Sequence, residues 1–201
     1  MAAHETTWLD LLRHGEPAGG LRFRGHRDDP LTELGWQQLR DAVGSGRWDC
    51  IVTSDLRRCH AFATVLAEEH GTPLHVDSRF RELDFGDWEG VAPDDIPDQA
   101  ALRAFWERPE DNPPPGGESM THLLQRVGQG LEDWLERAGG QRILVVCHAG
   151  VIRAALAASL SIALADVMRS FQVPYACRSR LRIDRGPGSD FRCLTAHGAF
   201  D

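Results

Sequence analysis

The segment Arg142–Cys147 (RILVVC) constrains the fold more than any other part of the sequence. Its run of branched apolar residues is typical of a strand in the middle of a sheet that helices cover on both faces. The run stops at His148, and a helix is predicted to follow from Val151. A buried strand that leads directly into a helix indicates an α/β protein with a largely parallel sheet.

The rest of the chain alternates strand and helix patterns in the same way. Further strands are predicted over Thr7–Leu12, Cys50–Thr53, Leu74–Asp77, Cys177–Ile183 and Arg192–Thr195. One helix is predicted after an N-cap at Thr32. A second is predicted between an N-cap at Ser54 or Asp55 and a stop at Gly71. A third is predicted from Thr121, because Leu124, Val127, Leu131 and Trp134 recur at helical spacing. This order predicts a three-layer sandwich around a mostly parallel sheet.

Residues 88–119 break the alternation. They are acidic and rich in proline and glycine, with one short helix predicted over Ala100–Glu107. A segment of this kind is typical of an insertion between two regular elements. We therefore expect one domain over residues 1–201, with 88–119 forming a cap-like insertion over the edge of the sheet.

Several classes of protein are excluded by composition. The longest weakly polar stretch, Ala154–Ala165, has twelve residues and two serines, whereas a membrane span needs about 20 apolar residues. The first residues lack the basic patch and long apolar run of a secretion signal, so we expect a cytoplasmic protein. Five cysteines, none spaced as a CxxC pair, argue against a disulfide framework or a structural zinc site.

The basic residues are all arginine: the 22 basic side chains include no lysine, and the net charge is −8. A broad basic surface for nucleic acid is therefore not expected. An anionic ligand would have to meet a local cluster of arginines, which suits a small phosphorylated molecule.

Candidate functional residues follow several of the predicted strands. They are Arg13 and His14 after the first strand, Arg58 early in the helix after the second, Glu82 past the third, and His148 after RILVVC. In open α/β sheets, ligands bind beyond the carboxyl ends of the strands, so these residues can converge. Arginine forks bind phosphate oxygens, neutral histidine is a nucleophile, and a carboxyl group beside a dianion can protonate a leaving oxygen. The set fits phosphoryl transfer.

The motif LLRHGEP resembles the signature of the histidine phosphatase superfamily, also called phosphoglycerate-mutase-like. The segments GHRDDPLTELG, SDLRRC, RELDFGDWEG, PPGGES and VVCHAGVIR recur in the family's order and cover nearly the whole chain. The resemblance implies a phosphoglycerate-mutase-like α/β fold with the insertion over the active site. DFGDWEG and HAGVIR most resemble the α-ribazole phosphatases of cobalamin biosynthesis.

The resemblance also implies roles for single residues. His14 would be the nucleophile, and Glu82 the general acid and then the general base. Arg13, Arg58 and His148 would bind the phosphoryl oxygens, with no metal or other cofactor. The implied function is a phosphomonoesterase that forms a phosphohistidine and dephosphorylates α-ribazole 5′-phosphate or the corresponding cobamide phosphate.

Some points stay open at this stage. Arg57 lies next to Arg58, and Gly20 replaces an asparagine that is frequent in the family. Trp88 and Trp106 either pack in the core or stack on an aromatic base of the substrate. Alternative functions are a broad-specificity sugar or nucleotide phosphatase, a phosphoglycerate mutase, or an inactive module that binds a phosphorylated ligand. The sequence leaves the oligomeric state open.

Overall fold

The computed structural model describes residues 5–186 and 189–199. The strands are β1 (Thr6–Arg13), β2 (Cys50–Thr53), β3 (Leu74–Val76), β4 (Arg142–Cys147), β5 (Arg178–Asp184) and β6 (Phe191–Gly198). The helices are α1 (Glu33–Val43), α2 (Arg57–His70), α3 (Gln99–Glu107), α4 (Met120–Arg137), α5 (Ala149–Leu160) and α6 (Leu164–Ser170). Helix α6 has no counterpart among the sequence predictions.

The strands of the described chain form one sheet in the order β3-β2-β4-β1-β5-β6. Strands β3, β2, β4 and β1 are parallel to one another, whereas β5 pairs antiparallel with β1 and with β6. The mostly parallel sheet predicted from the sequence is confirmed, with β4 in its interior.

Strand β4 shows why helices must cover both faces. Ile143 and Val145 pack in one buried cluster with residues of α3, α4, α5 and α6. Leu144 and Val146, which point the opposite way, pack in a second cluster with residues of α1 and α2. Burial of alternate residues on opposite sides of one strand produces the predicted three-layer sandwich.

Capping residues set several helix boundaries. Thr32 caps α1 as predicted, and its hydroxyl accepts a hydrogen bond from Gly35 N. The predicted cap of α2 at Ser54 or Asp55 is wrong, because the N-cap is Leu56, which makes no side-chain capping bond. Ser54 Oγ lies 2.9 Å from His148 Nε2 and also accepts a hydrogen bond from Leu56 N at 3.3 Å, so this residue connects the start of α2 to His148.

Residues 88–119 share the main core. Trp88, Ile96 and Phe105 are buried in the same cluster as Ile143 and Val145, and α3 confirms the predicted short helix. Because these side chains join the existing core, they support the prediction of a single domain with an insertion, which stays a prediction.

The register of the parallel strands determines which residues meet beyond their ends. Arg13 of β1 is opposite Cys147 of β4, and Thr53 of β2 is opposite Val146. The next residues along these strands, His14, His148 and Ser54, therefore emerge side by side at one edge of the sheet.

Candidate active site

His14 is held in one tautomer by the backbone. Its Nδ1 lies 2.7 Å from the carbonyl oxygen of Gly15, and a carbonyl only accepts hydrogen bonds, so Nδ1 carries the hydrogen. Burial, with the nearby charges of Arg58 and Arg13, lowers the pKa of His14 well below its usual value. The ring is therefore neutral at neutral pH, with the lone pair on Nε2.

Gly15 makes this arrangement sterically feasible. A Cβ added at Gly15 would lie 2.0 Å from the carbonyl oxygen of Gly35 in α1. The turn after β1 is thus packed directly against the backbone of α1, and only a residue without a side chain fits.

Two arginines flank His14. Arg58, the second residue of α2, donates from Nη1 to Arg27 O and from Nη2 to Gly25 O, each at 2.7 Å. Arg13 donates from Nη1 to Val173 O at 2.5 Å. Within the described residues, the buried Nε of each has no hydrogen-bond partner. Since buried donors are normally paired, both guanidinium groups are suited to bind an anion.

The choice between Arg57 and Arg58 is decided by burial. Arg58 is 1% exposed and lines the cavity beside His14, whereas Arg57 is exposed and does not line it. The backbone N–H of Arg57 donates to Asp28 at 2.6 Å. Arg58 is therefore the arginine that can reach a phosphoryl group.

Glu82 lies on the same cavity wall, held by two backbone donors. Its Oε1 accepts from Leu83 N at 3.0 Å, and its Oε2 accepts from Gly150 N at 3.1 Å, in the first turn of α5. The carboxylate is half-buried and can meet a substrate that enters the cavity.

Arg126 of α4 fixes the backbone that carries Glu82. It donates to the carbonyl oxygens of Arg79, Arg81 and Glu82 at 2.6, 2.7 and 3.0 Å. It also forms a bidentate pair with Glu118 at 2.7 and 2.8 Å. Sequence reasoning missed Arg126; Glu118 precedes the N-cap Ser119 and lies outside α4, so no helical spacing joins the two residues.

His148 is adjacent to His14 and more deeply buried. The two ring centroids are 5.2 Å apart, and His148 is fully buried and does not line the cavity. Burial, together with Arg58 and His14, lowers the pKa of His148 well below its usual value. The ring is neutral, and its phosphate-binding role stays a prediction.

The cavity has a volume of about 280 Å³, and apolar side chains line its wall beside the charged groups. Trp106, half-exposed, lies at the cavity entrance, whereas Trp88 is buried against Phe23 and Phe105. Of the two tryptophans, Trp106 alone lines the cavity, so the packing alternative holds for Trp88. Aromatic and aliphatic walls suit the organic part of a ligand.

Further cavity residues were missed by sequence reasoning. Tyr175 is the chain's single tyrosine, and the guanidinium carbon of Arg13 lies 4.2 Å from the centroid of its ring. Arg22, Arg24 and Arg153 also line the cavity. Arg153 stands in the HAGVIR motif, so its position one helical turn past Gly150 was the signal available for it.

Two features are absent from the described part of the chain. No group of three or more histidine, cysteine, aspartate or glutamate residues within 5–186 and 189–199 is placed to hold a metal ion. Over the same ranges, no helix has the length and apolar character needed to cross a bilayer.

Comparisons with known proteins give one consistent result. The sequence profile of the histidine phosphatase superfamily (branch 1) matches residues 9–190. The chain is 32% identical over 200 residues to glucosyl-3-phosphoglycerate phosphatase of Mycobacterium tuberculosis H37Rv, with 92% of this chain and 90% of the relative covered.

Solved structures share the fold along nearly the whole chain. The mycobacterial glucosyl-3-phosphoglycerate phosphatase in complex with VO3 superposes with a TM-score of 0.86 at 29% identity, covering 96% of this chain and 99% of that one. A candidate alpha-ribazole-5′-P phosphatase from Escherichia coli K-12 superposes with a TM-score of 0.81 at 27% identity, covering 96% of each chain.

Proposed function

Since this chain belongs to branch 1 of the histidine phosphatase superfamily and is a phosphoric monoester hydrolase, we propose that it hydrolyses small phosphorylated metabolites through a phosphohistidine on His14. The observation that carries the proposal is the hydrogen bond between His14 Nδ1 and Gly15 O. It leaves the lone pair of Nε2 free on a ring that is neutral at neutral pH, beside the guanidinium groups of Arg13 and Arg58.

In the first step, His14 Nε2 attacks the phosphorus atom and the bond from phosphorus to the ester oxygen breaks. Glu82 gives its proton to the departing oxygen, which leaves as an alcohol. Arg13 and Arg58 bind the phosphoryl oxygens and stabilise the charge that spreads over them. Their geometry is preorganised, because backbone carbonyls hold part of each guanidinium in place.

In the second step, the Glu82 carboxylate takes a proton from water, and the water oxygen attacks phosphorus. The bond between phosphorus and Nε2 breaks, and its electron pair returns to His14. His148 packs beside His14 outside the cavity lining, with its Nε2 against Ser54 Oγ. Its ring would have to turn toward the cavity to donate an N–H to the phosphoryl group. The products are an alcohol and inorganic phosphate.

Replacement of the nucleophile tests this mechanism. We expect His14→Ala to lower kcat for 4-nitrophenyl phosphate by at least about 10⁴-fold, because the covalent route is lost. Acid-quenched wild-type protein incubated with a labelled substrate should carry acid-labile, base-stable phosphate on His14, identified by mass spectrometry.

A control variant tests whether the loss of activity is specific to His14. His60→Ala alters a histidine of α2 that does not line the cavity and should keep both turnover and labelling. Full activity of the His14→Ala protein, or label on another residue, would contradict the proposal.

Two candidate substrates have separate support. α-Ribazole 5′-phosphate carries an aromatic base that the half-exposed Trp106 at the cavity entrance can stack upon. Glucosyl-3-phosphoglycerate is the substrate in the names of the similar mycobacterial enzymes. Specificity constants for both, compared with those for sugar and nucleotide monophosphates, distinguish them; equal constants across the panel would indicate a broad-specificity phosphatase.

A mutase reaction is tested in the same assay. With 3-phosphoglycerate as substrate, a phosphatase releases inorganic phosphate, whereas a mutase produces 2-phosphoglycerate. We expect phosphate release to dominate, because the phosphohistidine lies in a cavity open to water. If 2-phosphoglycerate forms faster than inorganic phosphate is released, the protein acts on 3-phosphoglycerate as a mutase and not as a phosphatase.

A further inference from the structure

The buried charge of Arg58 has no carboxylate in direct contact. The side chain is 1% exposed, and among the described residues it takes part in no ion pair. Its two Nη atoms donate instead to the carbonyl oxygens of Gly25 and Arg27. Neutral carbonyls hold the guanidinium without cancelling its charge, which therefore stays available for an anion. Because an isolated buried charge is costly, we looked for the group that balances it from further away.

One peptide group leads from Arg58 to a carboxylate. The carbonyl of Gly25 accepts from Arg58 Nη2 at 2.7 Å, and the N–H of the same peptide group, which belongs to His26, donates to Glu89 Oε1 at 2.6 Å. The C=O and N–H of a trans peptide point in opposite directions, so this group lies between the guanidinium and the carboxylate. Each of the two hydrogen bonds polarises the peptide group in the direction that strengthens the other.

Glu89 directs its whole carboxylate at backbone N–H groups. Its Oε2 accepts from Arg27 N at 2.7 Å, and its Oε1 also accepts from Phe85 N at 3.3 Å. It forms no ion pair within residues 5–186 and 189–199. The next residue, Gly90, donates from its N to Phe23 O at 2.8 Å, which holds the backbone of Glu89 against the same loop. The negative charge of Glu89 is therefore fixed beside the segment that supplies both acceptors of Arg58.

Gly25 allows the carboxylate to come this close. Its φ is +40°, and a Cβ added there would lie 2.0 Å from Glu89 Oε1 and 2.7 Å from Leu83 O. A residue with a side chain would push the carboxylate away from the loop. Gly25 and Glu89 thus form one packed contact between the motifs GHRDDPLTELG and RELDFGDWEG.

We propose that Glu89 is a positioning residue for Arg58, whose charge it balances and whose orientation it fixes through the peptide group between Gly25 and His26. Glu89 does not line the cavity, so it acts on the phosphoryl group through Arg58. A carboxylate in direct contact would compete with the phosphoryl group for the guanidinium, whereas one peptide group further away it does not. This inference rests on the proposed function, which assigns Arg58 to the phosphoryl oxygens.

A double-mutant cycle tests the proposal. Glu89→Gln keeps the size of the side chain, removes its charge and replaces one acceptor by a donor. We expect it to lower kcat/KM for 4-nitrophenyl phosphate at least about tenfold and to raise the inhibition constant of inorganic phosphate by a similar factor. In an Arg58→Met background the same change should alter both constants less than about twofold, because the residue through which Glu89 acts is gone. Additive effects of the two substitutions would overturn the proposal.

Asp10 provides a matched control for a general loss of stability. This buried carboxylate also accepts three hydrogen bonds, one from Trp48 and two from Arg180, and it does not line the cavity. Asp10→Asn should lower the free energy of unfolding, measured by urea denaturation, and change kcat/KM less than about twofold. If it lowered kcat/KM as much as Glu89→Gln, the effect of Glu89 would be one of stability and the proposal would be wrong.

A second measurement leaves Glu89 in place and so remains decisive even if Glu89→Gln does not fold. Loss of the guanidinium in Arg58→Met should weaken the hydrogen bond from His26 N to Glu89 and move the His26 amide proton upfield in the NMR spectrum. Arg57→Met, at the neighbouring exposed arginine, should leave that proton unchanged. An unchanged His26 proton in Arg58→Met would overturn the inference.

The two proposals fail in different experiments. Retained 4-nitrophenyl phosphatase activity in His14→Ala would overturn the proposed function. The coupling of Arg58 to the His26 amide proton is measured without any substrate, so that result would not remove it. Loss of the coupling with phosphohistidine still formed on His14 would overturn only the role of Glu89.

Discussion

The proposed chemistry depends on two histidines that the fold keeps neutral. His14 is 5% exposed and His148 is fully buried, and neighbouring arginines add to the effect of burial on both pKa values. An exposed histidine would be partly protonated near neutral pH. The burial of His14 therefore maintains the unprotonated Nε2 that the proposed nucleophilic attack requires.

The same burial predicts how stability depends on pH. Below about pH 6.5 the unfolded chain binds protons at these histidines and the folded chain does not, so stability is complete above that pH and falls as pH decreases. Each histidine contributes up to about 1.4 kcal/mol per pH unit. We expect His14→Gln to show a shallower decline in the free energy of unfolding between about pH 6.5 and 5, measured by urea denaturation.

The comparison is made between the two proteins at each pH, because carboxylates titrate in both. Two parallel curves would show that His14 is not held neutral by the folded state. A steeper decline in the variant would contradict the prediction outright.

At the scale of elements, the critical contact joins the turn after β1 to the first turns of α1. Gly15 and Gly35 approach so closely that a Cβ at either position would lie about 2 Å from the backbone of the other segment. Glu16 O accepts from Thr32 N, the residue that caps α1. The helix therefore supports the turn that supplies the carbonyl oxygen for His14 Nδ1.

Substitution at this contact should damage both stability and activity. We expect Gly15→Ala to lower the free energy of unfolding by roughly 2–3 kcal/mol, because backbone must move to relieve the clash. It should also lower kcat about a hundredfold, because His14 is displaced. Thermal denaturation and a 4-nitrophenyl phosphate assay measure the two effects.

Gly128 of α4 offers the matched control. A Cβ there would lie 4.0 Å from its nearest neighbour, Ala158, and alanine is the better helix former. Gly128→Ala should therefore raise the free energy of unfolding by up to about 1 kcal/mol and leave kcat unchanged. Equal changes in the free energy of unfolding and in kcat for the two variants would show that a side chain at Gly15 causes no clash with α1.

At the scale of the molecule, the site joins elements that are distant in the sequence. Arg13 ends β1, Arg58 is the second residue of α2, and Glu82 follows β3 and is bonded to the first turn of α5. An anion bound between these groups would connect β1, α2, the segment after β3 and α5. Binding therefore has to stabilise the whole fold rather than one loop.

Inorganic phosphate provides the measurement. At a concentration 100 times its Kd, we expect it to raise the free energy of unfolding by about 2.7 kcal/mol, relative to sodium chloride at equal ionic strength. Arg58→Met removes one of the proposed ligands and should lose most of that increment, whatever its own baseline stability. An equal increment in both proteins would place the anion elsewhere.

Local patterns were sufficient to predict much of the architecture. The strand over Arg142–Cys147, the cap at Thr32 and the stop at Gly71 appear in the structure at the predicted residues. The helical spacing from Thr121 also predicted α4, although Leu123, rather than the predicted Leu124, is the buried residue. Such features depend on a few neighbouring residues and on periodic burial, both of which are visible in a sequence.

What the sequence determined by itself was the set of elements and the order in which Arg13, His14, Arg58, Glu82 and His148 follow them. Only the tertiary structure decided which side chains face the cavity. It placed the His148 ring against that of His14 but outside the cavity lining, and it placed Arg153 and Tyr175 on the cavity wall. The physical reason is that contacts between distant segments depend on strand register and side-chain packing, and no local pattern encodes either one.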